Sequence, residues 1–266
     1  MSYYISYFKL RFISSLQYRI AALAGISTQF FFGFVFIMVY VAFYESGSTD
    51  SMKLSELVTY IWLGQAFYAL IYVYHRDTEL LTMIKNGDIA YELVRPESIY
   101  FKWYIKILSS KTSKVILRFL PIIIISLILP KPYNLSLPYS KLSFILFIIS
   151  LFFATFLVTS LCTLFNLFTF FTMDDKGTTA ILGAVSEILS GEIVPLPLMP
   201  KSLVLISNFL PFRYISDLPF RIYSGNISIS SAIPNIIIQF IWIFIMLIVG
   251  VLVSRKILKK VVVQGG

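Results

Sequence analysis

A chain of 266 residues with 58% hydrophobic and 13% charged side chains carries about half the charge of a soluble domain, where about 25% is usual. One cysteine and one histidine exclude a disulfide framework and a zinc site built from several such ligands. The net charge of +9 suits a membrane chain whose basic residues collect in cytoplasmic loops, so no nucleic-acid partner is expected.

In chain order, the N-terminal piece 1–19 places Ile5, Phe8, Phe12 and Leu16 near one helical face, with tyrosines and basic residues around it. That pattern predicts an interfacial helix on the cytoplasmic leaflet. The first span is Ile20–Phe43, too long for the apolar core of a cleavable leader. The second is Leu57–Tyr74, and the third, about Val115–Leu129, carries Arg118 one turn inside its edge. A fourth lies within the uncharged stretch Leu142–Met173, which is longer than a core about 30 Å thick requires. A fifth starts near Thr178, and the sixth is Ala232–Ser254. The fold class expected is all-α and polytopic, one transmembrane domain over 1–266 with six transmembrane helices.

Fifteen Lys and Arg residues fall in the N-terminal piece, the loop 75–111 with Lys114 at its edge, the MDDKG turn and the tail. Six (Lys53, Lys131, Lys141, Lys201, Arg213 and Arg221) fall on the other side. Both termini are therefore predicted cytoplasmic. No internal repeat is visible, which argues against an inverted-repeat secondary transporter.

The fifth span runs into EILSGEIVPLPLMP. Gly191 weakens the helix, and Pro195 and Pro197 remove amide donors. Pro200 then opens a second short helix, KSLVLISNFL, which Pro211 stops. Irregular backbone at membrane depth is tolerated only in protein or beside a wet cavity. Segment 192–231 is accordingly read as a re-entrant hairpin rather than a plain external loop, since its many apolar side chains suit open water poorly. A carboxylate at mid-membrane costs about 2.5–3.5 kcal/mol, so Glu187 and Glu192 face either a translocation path or an interhelical hydrogen bond.

The loop after the second span reads HRDTELLTMIKNGDIAYELVRPESIYFKWYIK. It combines an amphipathic pattern, a break at Asn86-Gly87 and charges of both signs. The combination suits docking against a soluble partner. Catalytic chemistry is not expected: His75 opens this loop rather than pairing with a membrane serine, and no His-Glu-x-x-His or phosphate-binding Gly-rich loop occurs. LSGE within the broken segment is a chance near-match to the LSGGQ signature of cassette ATPases.

Two stretches, IKNGDIAYELVRP and SGEIVPLPLMPKSLVLISNFLPF, together with the span pattern, resemble ABC-2 exporter permeases. The matching positions are Asn86, Gly87, Leu93, Arg95 and Pro96, then Ser190, Gly191, Pro195, Pro200, Leu210, Pro211 and Phe212, with Pro219 and Gly225 further on. The resemblance implies a multi-pass protein of a bacterial cell membrane. It also implies a coupling helix that docks on a separate cytoplasmic ABC ATPase subunit, through Ile84, Asn86, Gly87, Asp88, Leu93, Arg95 and Pro96. A second permease, identical or paralogous, would complete a path lined near the first, second and fifth spans, within membrane lipid. Glu187, Gly191, Glu192, Pro195 and Pro197 would form the gate or path. No cofactor is expected in this chain, because ATP and Mg would be held by the ATPase. The cargo would be a drug, peptide or lipid of hydrophobic or amphipathic character. Two rivals stand beside this: a channel or secondary transporter using the membrane glutamates, and a non-transporting scaffold or immunity protein.

Overall fold

Each long apolar run of the sequence becomes a helix whose ends lie close to where charge or proline resumes. The structure, a computed structural model, describes residues 2–17, 19–47, 51–73, 79, 82, 83, 86, 91, 92, 97–172 and 175–258. Among them the helices are α1 (Ser2–Leu16), α2 (Arg19–Glu45), α3 (Leu54–Ile71), α4 (Ile99–Ile128) and α5 (Lys141–Thr172). They continue with α6 (Asp175–Ser190), α7 (Lys201–Asn208), α8 (Asp217–Ser224) and α9 (Ile229–Leu258). Single 3-10 turns at Leu196–Leu198 and Phe212–Tyr214 flank α7. No strand occurs among the described residues.

Four of these helices, α2, α3, α5 and α9, are long and apolar enough to cross a membrane. The expected third span, about Val115–Leu129, falls in the second half of α4, where Arg118 interrupts the apolar run and Lys111 and Lys114 stand just before it. The helix also begins earlier than the sequence suggests. Ile99–Lys111, read as loop, is helical and continuous with it. The apolar part of α6, Ala180–Ser190, is too short to qualify as a span; the whole helix has 16 residues, about 24 Å at 1.5 Å per residue.

The elements differ sharply in how much of each is enclosed. α3 is central, packed against α2, α4, α5 and α8, with Leu57, Trp62, Leu63 and Ile71 fully buried. α2 buries only Ala22, Gln29, Gly33 and Ile37, a single stripe at near-heptad spacing, and turns Phe31, Val35, Met38 and Val39 outward. α9 lies along α5, and α1 lies along α4. Close approach depends on two glycines. A Cβ on Gly33 would lie 2.8 Å from the Trp62 ring, and one on Gly250 would collide with the Tyr100 ring.

Buried polar groups fasten these helices together, as burial without a partner would cost about 1–3 kcal/mol each. The Gln239 amide on α9 donates to the carbonyls of Ser150 (2.9 Å) and Tyr214 (2.8 Å) and accepts from the Ser150 hydroxyl. It thereby binds α5, α9 and the turn before α8. Trp62 donates from its indole N–H to the Tyr133 carbonyl at 2.7 Å. Lys111, 2% exposed, donates from Nζ to the carbonyls of Leu70 (3.1 Å) and Tyr72 (2.6 Å). A cation placed at a helix C-terminus satisfies carbonyls that have no partner in the helix and complements the dipole.

Candidate functional site

The break after α6 is built by a glycine. Gly191 has φ +78°, in the left-handed region that a side chain rarely adopts. The Gly191 N–H donates to the Ile188 carbonyl (3.2 Å), and the Glu192 N–H reaches back to the Glu187 carbonyl (3.1 Å). This pair of bonds is a Schellman ending, so α6 stops cleanly and Glu192 is directed away from the helix. Pro195 is buried and precedes the 3-10 turn that contains Pro197. Pro200 caps α7, as its position before a helical run predicts.

Two long-range hydrogen bonds hold this break in place. The Tyr60 hydroxyl of α3 donates to the Gly191 carbonyl at 2.9 Å. The Ser216 hydroxyl donates to the Ser190 carbonyl at 2.7 Å. Beyond it, α8 is fully buried at Asp217, Leu218 and Phe220 and is wedged between α5 and α3. Arg221 pairs with Asp217 at 3.2 Å and donates to the Asn226 side-chain carbonyl at 2.7 Å. The Asn226 amide in turn donates to Glu56 at 2.9 Å. That chain of contacts ties the α8 end to the start of α3.

A cavity of about 280 Å³ opens between α2, α3, α8 and the broken end of α6. Its lining takes Glu187, Glu192 and Pro195 from the sequence-predicted gate set. Gly191 contributes its carbonyl to Tyr60 instead, and Pro197 stands outside the lining. Glu187 and Glu192 are partly buried, and neither carboxylate has a hydrogen bond or ion pair among the described residues. The interhelical hydrogen bond considered for them is thus not made among the described residues. Sequence reasoning missed Gln29, Gln65, Tyr60 and Tyr68, which share the cavity wall. The two glutamines carried a usable signal, since each is an amide inside an otherwise apolar helix.

A second assembly joins α1 to the start of α4 and to the segment before it. Glu79 is shared by Arg11 (2.9 Å) and Lys106 (2.8 Å), and Lys102 pairs with Glu92. Burial works to raise the Glu79 carboxyl, but hydrogen bonds from Arg11 and Lys106 outweigh it and bring its pKa down to about 2. For Arg11 burial works downward, and the Glu79 and Tyr7 contacts leave it above its ordinary value. Arg11 and Lys102 also approach the Tyr7 ring, at 5.4 and 5.8 Å from its centroid. Of the coupling set, Asn86 is exposed and donates its N–H to the Thr82 carbonyl at 2.9 Å. Ile84, Gly87, Asp88, Leu93, Arg95 and Pro96 lie outside the described residues.

A family model described as ABC-2 family transporter protein matches residues 4–265. The chain belongs to the ABC-2 transporter family. The ABC-2 match spans nearly the whole sequence, and the all-helical architecture with membrane-length helices agrees with it. An ABC-2 permease is a transmembrane subunit that is not itself catalytic, and membership implies association with ABC ATPase subunits. No curated protein and no solved structure matches the chain.

Proposed function

We propose that this ABC-2 protein is the permease subunit of an exporter, moving an amphipathic substrate outward while a separate ATPase supplies the energy. The observation that carries the reading is the cavity between α2, α3 and the end of α6, set inside a chain that belongs to a transporter family. The cavity uses the helices proposed to line the path, the first, second and fifth spans. In this reading the second half of α4 and the segment beginning with α6 complete six spans. The break at Gly191 and the following turns, through α8, form the re-entrant outer gate, and both termini face the cytoplasm of a bacterial cell. A second permease, a copy or a paralogue, closes the path from the side of α2, whose outward apolar face is otherwise left to lipid.

The coupling segment around Asn86 docks on the ATPase, and α1 is clamped to its approach through Glu79. ATP binding rocks the permeases by pulling on this segment. The test is purification of the tagged protein from its native membrane in mild detergent, followed by an ATPase assay. A stoichiometric cassette ATPase supports the reading. A preparation without a nucleotide-binding partner overturns it and favours an ion pathway through Glu187 and Glu192.

A further inference from the structure

We infer that the cavity binds an organic cation with an apolar body; calling that cation the cargo rests on the exporter reading, whereas the binding itself does not. At about 280 Å³ the space lies just below the about 300–1,000 Å³ usual for small-molecule sites. Its walls are aromatic on several sides: Phe32, Phe36 and Tyr40 from α2, Tyr60 and Tyr68 from α3, and Phe220 from α8. Ring faces attract cations, most strongly where water is excluded.

Glu187 and Glu192 line the cavity, and no basic side chain among the described residues does. Lys111, a buried cation whose charge acts on Glu192, donates to the carbonyls of Leu70 and Tyr72 and makes no ion pair with that carboxyl among the described residues. Two carboxylates without a hydrogen bond or ion pair among the described residues are costly at membrane depth, and a bound cation offsets that cost.

An independent observation points the same way. Gln29 and Gln65 are only 7% and 9% exposed, line the same space, and make no side-chain hydrogen bond among the described residues. Their amides meet the cavity rather than a protein partner, so a ligand there supplies the missing hydrogen bonds. Their carbonyl oxygens face the same requirement as the carboxylates, which a cation or an N–H donor meets. A neutral lipid tail leaves all four polar groups unmatched, and an anion is repelled. A monatomic metal ion would need about six oxygens, where this wall presents mainly rings.

The protein is purified with whatever ATPase accompanies it, placed in lipid nanodiscs, and titrated separately with tetraphenylphosphonium and tetraphenylborate, using empty nanodiscs as the blank. These ions share size and shape and differ in sign. Saturable binding of the phosphonium and none of the borate is expected, with E187Q/E192Q weakening the phosphonium at least about tenfold. Borate binding as tight as phosphonium, or phosphonium binding unchanged in the double variant, overturns the inference. If the double variant misfolds, the comparison of the two ions on the unaltered protein decides alone. An ATPase present without phosphonium binding sinks the cation site and leaves the exporter reading standing. Phosphonium binding without an ATPase does the reverse.

Discussion

The Tyr60 hydroxyl and the Gly191 carbonyl, 131 residues apart in sequence, meet in a buried hydrogen bond of 2.9 Å. It joins the middle of α3, the most enclosed of the four membrane-length helices, to the point where α6 gives way. Substituting Tyr60→Phe leaves that carbonyl without its donor and is expected to lower stability by about 1–3 kcal/mol. A thermal melt of the detergent-purified protein checks this, and a melting temperature equal to the parent's would show that the bond contributes nothing.

Gly191→Ala acts at the same joint by another route. A Cβ there would lie 2.9 Å from the Tyr60 hydroxyl, and the backbone at φ +78° adds about 1–2 kcal/mol for any residue with a side chain. The variant is expected to be less stable than Tyr60→Phe, and in the double variant the penalties are expected to fall short of additive because both act on one contact.

Lys111→Met removes the donor that satisfies Leu70 and Tyr72 while keeping the side chain's length. Hydrogen bonds from charged donors are worth about 1.5–3 kcal/mol, so a loss of about 2 kcal/mol is expected. Faster hydrogen exchange of the last turn of α3 would accompany it, and unchanged exchange there would contradict the capping role.

The Glu79 clamp on α1 predicts a pH response. Its folded pKa of about 2 lies below the about 4.3 of a free glutamate. Its contribution is therefore fully present above about 4.3 and is lost as pH falls from there through about 2. Because the side chain is half exposed to solvent, the response is expected as local loosening of α1 rather than global unfolding. Proteolysis of α1 should rise on acidification in the parent, and in Glu79→Gln it should already be raised at neutral pH. Equal protection in both would count against the clamp.

In the coupling segment, Gly87→Asp or Leu93→Glu is expected to abolish ATP-driven transport while leaving membrane insertion intact. Transport in vesicles alongside ATPase rate reads this out. Survival of both would remove the segment from the coupling role.

Helix positions were legible because the physics that sets them is local. The apolar run Ile20–Phe43 became α2 with Arg19 added at its start and Tyr44 and Glu45 at its far end, and Pro200 marked the start of α7 as its fixed φ requires. The first half of α4 was not legible, since its lysines and aromatics read as loop composition until α1 covers one side of it. At the site, Glu187, Glu192 and Pro195 stood out as polar or breaking residues in an apolar setting. The roles of Tyr60 and Gln239 did not, because each depends on a partner 131 or 89 positions away that only the fold brings near.

Gly33 and Trp62 constrain how this sequence can drift. A larger residue at 33 requires the indole to withdraw, and withdrawing it strips the Tyr133 carbonyl of its donor. Related chains should therefore change positions 33 and 62 together or not at all. A lineage that has shrunk the indole should also show a new donor, or a rebuilt turn, near position 133.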